Sequence, residues 1–315
     1  MRVYLMASLL ALAACGGQNA PSGALPKSSV SGWSIAPSGE LNGFFDCLEN
    51  KEIALVAAHR GGPATGFPEN AIETFDHTLS AAPALLEIDV ATSSDGVPYL
   101  MHDDTLERTT TGEGPIDGLS WAEVSALRLK AKGRETAFHP PSLAEALSWA
   151  KGRTILEIDF KPSTRYEDVI AEINRQQAED RVILIAYSSA QAARLHRLSP
   201  GAMISLSVSN ASELSRTLAA GVPADRLLGF TGVETPNPRL FATLNNQGIE
   251  VIFGTLGGRQ SIDDEIDATG GAARYAQIAG MGVDIIATDR PAAAQAALET
   301  AGRGATDGLC GITRG

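Results

Sequence analysis

The sequence predicts a (β/α)8 barrel with a small insertion between its second strand and second helix. Eight apolar runs alternate with eight helical patterns, as in βα units wound around a parallel sheet. The stretch 41–302 has the size of such a barrel, about 250 residues. No Gly-rich dinucleotide fingerprint is present to favour the alternative, a doubly wound open sheet.

The elements follow in order. Strands are expected at 53–58, 84–90, 154–160, 182–187, 203–208, 226–231, 250–254 and 284–288. Helices are expected at 70–81, 141–150, 166–176, 189–197, 211–220, 237–246, 270–281 and 291–300. Asn70 precedes Ala71, and Glu73 follows three residues after it, a capping-box pattern. Ile72, Phe75 and Leu79 then form a buried stripe. Ser93-Ser94-Asp95-Gly96 reads as a hairpin turn. Val97–Met101 returns toward the barrel mouth and opens an insertion of about 97–140, too long for an ordinary loop. Within it, one short helix is expected near Trp121–Leu129.

Composition narrows the function. The chain has 315 residues, 44% of them hydrophobic, enough for a sizeable core. A formal charge of -12 argues against nucleic-acid binding and against docking on anionic lipid by charge. Arg2 and the apolar stretch Val3–Ala14 form a targeting segment too short to span a bilayer. It ends Leu12-Ala13-Ala14-Cys15-Gly16, which resembles a bacterial lipobox. Residues 1–14 then read as a lipoprotein signal peptide, and Cys15 as the lipidated first residue. Residues 15–40 read as a flexible tether and 303–315 as a C-terminal tail. The expected location is the periplasmic face of the outer membrane, with the lipid as anchor. The folded part then lies in an oxidising compartment with two cysteines, Cys47 and Cys310. A closed barrel brings its first strand and last helix together, so the two can bridge. The alternative is two unrelated thiols. Zinc-type Cys spacing is absent.

The chemistry gathers at strand ends, where barrels of this kind place their sites. His59-Arg60-Gly61 closes the first apolar run, Glu87-Ile88-Asp89 the second and Asp159-Phe160-Lys161 the third. His102-Asp103 follows the hairpin. Glu87 and Asp89 are two apart and share a face, as do Glu157, Asp159 and Lys161. Buried carboxylates that face one another repel unless a cation or proton intervenes. Oxygen-only ligation suits Ca²⁺ or Mg²⁺ rather than zinc. Any one of these residues alone reads as structural, Asp159–Lys161 as an ion pair for instance. Together they form the kit for metal-assisted attack on a phosphate ester. His77, His139 and His196 lack this context and read as structural or solvent-exposed.

Read as an ordered set, His59-Arg60-Gly61, Pro68-Glu69-Asn70, Glu87-Ile88-Asp89, His102-Asp103, Arg108-Thr109-Thr110, Pro141-Ser142-Leu143, Asp159-Phe160-Lys161-Pro162 and Thr288-Asp289-Arg290-Pro291 resemble the glycerophosphodiester phosphodiesterase family. The resemblance covers roughly 53–295. It implies catalysis by His59 and His102, with Glu87, Asp89 and Asp159 as metal ligands. Glu157, two residues back on the same face, can replace or join Asp159. Arg60 and Lys161 would hold phosphate oxygens, with Glu69 beside them. The family usually has Glu where Asp159 stands. It often has Trp-Thr-Val-Asn where this chain has Gly254-Thr255-Leu256-Gly257, which is expected to widen that wall of the pocket. The implied reaction is hydrolysis of a small phosphodiester, giving sn-glycerol 3-phosphate and an alcohol. Two other readings stand beside it. One is a phospholipase D-like enzyme acting on lysophospholipid or sphingolipid headgroups, which a large apolar rim on the insertion would favour. The other is a non-catalytic surface lipoprotein that binds phosphoesters.

Overall fold

The structure is a computed structural model and describes residues 32–315. The expected signal segment, Cys15 and the first part of the tether lie outside the described residues. Eight strands form the barrel: β1 (Leu55–Ala58), β2 (Ala84–Thr92), β3 (Leu156–Phe160), β4 (Val182–Ala186), β5 (Met203–Ser207), β6 (Leu227–Phe230), β7 (Glu250–Gly254) and β8 (Ile285–Thr288). Each pairs in parallel with its neighbours, and β8 pairs with β1, so the sheet closes.

Strands buried on both faces need apolar residues on both. Val56, Leu86, Ile88, Leu156 and Ile158 pack outward into the main hydrophobic cluster, which the helices share. Leu55, Leu85, Ile155, Ile183, Met203, Leu228, Ile252 and Ile285 belong to a second cluster that fills the barrel interior. The covering helices are α1 (Ile72–Ala81), α2 (Leu143–Ala150), α3 (Tyr166–Arg175), α4 (Ser189–Leu198), α5 (Ala211–Ala219), α6 (Pro238–Asn245), α7 (Ala273–Ala279) and α8 (Pro291–Thr300).

Three local expectations change. The helix expected at 270–281 is preceded by another, Ile262–Thr269, capped by Ser261, whose side chain accepts from the Asp264 N–H. That Ser cap with acidic residues behind it was legible in the sequence. The insertion helix stops at Val124, because Leu127 turns back onto the insertion's own core of Tyr99, Met101, Leu106, Ile116 and Val124. Asn70 does not cap α1, since the cap position is Ala71 and bears no side-chain bond.

The largest difference lies at the bottom of the barrel. Trp33–Ile35 pairs antiparallel with Ile312–Arg314, so 33–35 is not tether and 312–314 is not free tail. The helix Leu41–Glu49 packs beside this pair, and Trp33, Ile35, Phe44, Phe45, Leu48 and Ile312 join the interior cluster. The physical reason is burial. The interior residues at the N-terminal ends of the strands would otherwise face water, and both flanking segments carry apolar side chains to cover them. Cys47 and Cys310 form a disulfide across this plug, with Cα atoms 6.0 Å apart. Cys47→Ala with Cys310→Ala is expected to lower unfolding stability by about 2–4 kcal/mol. Denaturant melts of oxidised and reduced protein check this. Identical midpoints would show that the plug holds by packing alone.

Candidate active site

With one end plugged, the C-terminal ends of the strands form the open mouth. Along β2, Leu85, Glu87 and Asp89 alternate inward, and Ile155, just before β3, continues the same alternation with Glu157 and Asp159 on it. The register sets Glu87 opposite Glu157 and Asp89 opposite Asp159, two rungs of carboxylates on one inner wall. Glu87, Asp89 and Asp159 each offer an oxygen, and these lie within 4.8 Å of one another. Oxygen–cation distances of about 2.0–2.6 Å let three such oxygens share one ion.

The electrostatics fit that use. Burial and then the charge of Asp89 push the Glu87 carboxyl well above the usual range. Burial, opposed by the Ser205 hydroxyl, raises Glu157 to about 7. Burial also acts to raise Asp89, but Lys161, His102 and Asn70 outweigh it and hold the group below its ordinary value. Lys161 Nζ lies 2.6 Å from both Asp89 Oδ1 and Asp159 Oδ2. Asp159 Oδ1 is buried without a hydrogen-bond partner. A buried acceptor left unpaired costs about 1–3 kcal/mol, which a cation at this wall would remove. The carboxylate-only donor set therefore fits Ca²⁺ or Mg²⁺.

His59 and His102 are each held by a carboxylate. His59 Nδ1 is 2.7 Å from Asp289 Oδ1, and His102 Nδ1 is 2.7 Å from Asp103 Oδ1. A carboxylate only accepts, so in the neutral ring Nδ1 carries the proton and Nε2 keeps its lone pair. Arg60 Nε donates to His59 Nε2 at 3.2 Å. Both rings line one cavity of about 200 Å³ with Glu87, Asp89, Glu157 and Asp159. His77 instead stacks on Phe67, at 4.1 Å between ring centroids, and His139 Nδ1 lies 2.6 Å from the Leu127 carbonyl oxygen. Neither they nor His196 line the cavity.

The backbone after β1 is shaped for this site. Arg60 adopts a left-handed conformation (φ 52°), and its N–H donates to Glu87 Oε2 at 2.6 Å. Gly61 follows at φ 79°, where an added Cβ would meet the Phe75 ring at 2.3 Å, so no larger residue fits. Arg60 Nη1 donates to Glu69 at 2.9 Å. Glu69 also accepts two bonds from Arg108, at 2.7 and 2.8 Å, and Arg108 bonds Asp103 as well. The insertion thus reaches back over the mouth and braces His102 through Asp103 and Arg108. Asp103 is driven down to about 2, chiefly by its hydrogen bond to Arg108. Glu69, His102 and Asp103 also cluster closely, but the Arg108 guanidinium already supplies their positive charge.

Several residues at the site were not singled out from sequence. Asn70, read as a helix cap, is left-handed (φ 57°) and buried. Its Nδ2 donates to Asp89 Oδ2 at 2.7 Å, and its Oδ1 accepts from the Asp89 N–H at 3.0 Å. Asp289 was quoted in a motif without a role, although it follows β8 as the other site groups follow their strands. Buried Asp263, on the helix missed from sequence, accepts from the Asp289 N–H at 2.7 Å and from Thr288 Oγ1. The widened wall at Gly254 is corrected. A Cβ there would sit 2.6 Å from Val233, and Leu256 lines the cavity, so that side is filled with apolar groups.

Residues 59–293 match the glycerophosphoryl diester phosphodiesterase family over most of the chain. The chain belongs to that family. Its fold is similar to that of a glycerophosphoryl diester phosphodiesterase from Parabacteroides distasonis, with 30% identity, 90% of this chain and 99% of that one covered, and a TM-score of 0.80. A phosphodiesterase from Oleispira antarctica, solved with its product sn-glycerol-3-phosphate, shares the fold at 22% identity, covering 78% and 97% of the two chains, with a TM-score of 0.62. A glycerophosphodiester phosphodiesterase from Bacillus altitudinis is 30% identical over 162 residues, 47% of this chain and 64% of the relative. The chain spans less than two thirds of the length of the curated relatives it matches, between 31% and 65%.

Proposed function

We propose that this protein hydrolyses phosphodiesters, glycerophosphodiesters foremost, releasing sn-glycerol 3-phosphate and an alcohol with the help of a divalent cation. The observation that carries this reading is the pair of carboxylate-held histidines sharing one cavity with a wall of buried carboxylates. Binding alone requires no such acid–base pair, which disfavours a phosphoester-binding lipoprotein.

Glu87, Asp89 and Asp159 would hold the cation, with Glu157 beneath them. When bound, it supplies positive charge for a phosphate oxygen in the transition state. Arg60, steadied by Glu69, offers a planar fork to phosphate oxygens. Lys161 adds a point charge once it is released from the carboxylate pair. One histidine takes the proton of the attacking water or substrate hydroxyl at Nε2. The other, protonated, gives its Nε2 proton to the departing alkoxide. Asp289 and Asp103 fix the rings and stabilise the imidazolium forms.

The phospholipase-type reading gains nothing from the insertion. The exposed large hydrophobic residues among those described are Tyr187 and Met281, and neither lies on it. The test is release of sn-glycerol 3-phosphate from glycerophosphocholine, with and without EDTA. Cation-dependent release supports the reading. Binding of the diester without turnover in Ca²⁺ or Mg²⁺ would overturn it.

We also propose that Cys15 carries a lipid that tethers the enzyme to the membrane facing the periplasm. The sequence around Cys15 supports this. Cys15→Ser is expected to move the protein from the membrane to the soluble fraction or leave it unprocessed. An unchanged distribution would make Cys15 incidental.

A further inference from the structure

A groove of about 610 Å³ opens beside the catalytic cavity of about 200 Å³. The two share Tyr187, Ser207 and Phe230, at the ends of β4, β5 and β6. Ligand sites usually measure about 300–1,000 Å³, so the inner cavity has room for the phosphoryl group and one small arm only. A diester has two arms, and the residues common to both cavities give the second a continuous path past Tyr187 and Phe230 into the groove.

The groove's chemistry says which arm it suits. Glu213 lines it, but Glu213 Oε2 is engaged by the Ser209 N–H at 2.7 Å and the Ser209 hydroxyl at 3.0 Å. Arg216 donates to Ser212 Oγ at 3.1 Å through Nη1, while its Nη2 stands 4.0 Å from Glu213. Its side chain is 61% exposed, so guanidinium donors remain for a ligand. Hydroxyl groups dominate the remaining polar lining. Such a surface offers donors and acceptors to a polyol, with the apolar faces of Tyr187, Val208 and Phe230 for its carbon skeleton.

We propose that this groove is the subsite for the alcohol arm of the substrate and that it selects a hydroxyl-rich arm of the glycerol or cyclitol kind. The proposal rests on the diesterase reading above and assigns the substrate class of that same site.

The experiment compares kcat/KM for glycerophosphoglycerol with that for the methyl ester of glycerol 3-phosphate. Both keep the same retained arm and phosphoryl group. The wild type is expected to favour the polyol arm by roughly tenfold or more. Ala190→Trp, exposed at the groove rim, should fill it, and Arg216→Ala should remove its cation. Both should bring the ratio toward one. Neither residue is buried, so thermal melts should match the wild type, and Arg216→Ala still decides should the Trp variant misfold. A wild-type ratio near one that neither variant changes would overturn the subsite and leave the hydrolase standing. Equal turnover of the octyl ester of glycerol 3-phosphate, whose alcohol arm is apolar, would overturn the selection for a polyol. Absence of turnover on every diester would overturn the proposed function and the subsite with it.

Discussion

His59→Ala and His102→Ala are each expected to lower kcat by about 10²–10⁴-fold, the usual worth of a positioned proton transfer. Each ring has its Nδ1 bound to a carboxylate, which leaves Nε2 for chemistry, in His59 once the Arg60 guanidinium that donates to it turns to the phosphate. Cation binding should survive in both variants, because neither ring belongs to the Glu87, Asp89 and Asp159 cluster. The loss should therefore fall in kcat and kcat/KM together, with the cation-induced rise in melting temperature retained. The double variant should lose less than the product of the two single effects if the histidines act in one transition state. Near-normal turnover in either single variant would remove that histidine from the mechanism.

Asp89→Asn is expected to lower activity by at least about 10²–10³-fold and to abolish cation-induced stabilisation. Asp89 faces the other carboxylates, lies 2.6 Å from Lys161 and accepts from Asn70 at 2.7 Å. Asn cannot balance the lysine or supply charge to a cation. The wild type should also bind its cation more tightly as pH rises. A cation displaces the protons that the buried carboxyls hold, so affinity follows their deprotonation. Glu157, raised to about 7, gives up its proton as pH climbs from about 5 toward 8, and Glu87, whose carboxyl burial and Asp89 hold well above the usual range, carries a proton that the cation must also displace. The sign for the cation-free fold is the reverse. Carboxyls whose folded pKa is raised contribute stability that is fully present below about 4.5 and is lost as pH rises through the folded value. Thermal melts with and without Ca²⁺ or Mg²⁺ across this range read both effects. A cation-induced shift that persists in Asp89→Asn would move the cation site elsewhere.

Periodicity and residue type were enough for the barrel and for placing the carboxylates and His59 at its strand ends. Eight apolar runs, each short and each followed by a helical pattern, leave few ways to bury both faces of a parallel sheet. The alternation of Glu87 with Asp89, and of Glu157 with Asp159, fixes each pair to one face because side chains on a strand repeat every two residues. What lies next to what across strands is another matter. The register that sets Asp89 opposite Asp159 depends on how two distant segments pair, and no local pattern encodes it. Asn70 shows the same limit. Its capping signal is real as a pattern, yet the loop after β1 turns it inward to bind Asp89, 19 residues away. Asp289 and Asp263 hold His59 from the far end of the chain, brought there by closure of β8 onto β1. The barrel's plug arises likewise, since Trp33–Ile35 and Ile312–Arg314 have no shared sequence signal and meet because the interior they cover is apolar. Sequence thus determined which groups could do the chemistry and on which strand face each would stand. Tertiary structure decided their partners, because hydrogen bonds and ion pairs between remote segments exist only once the sheet has closed.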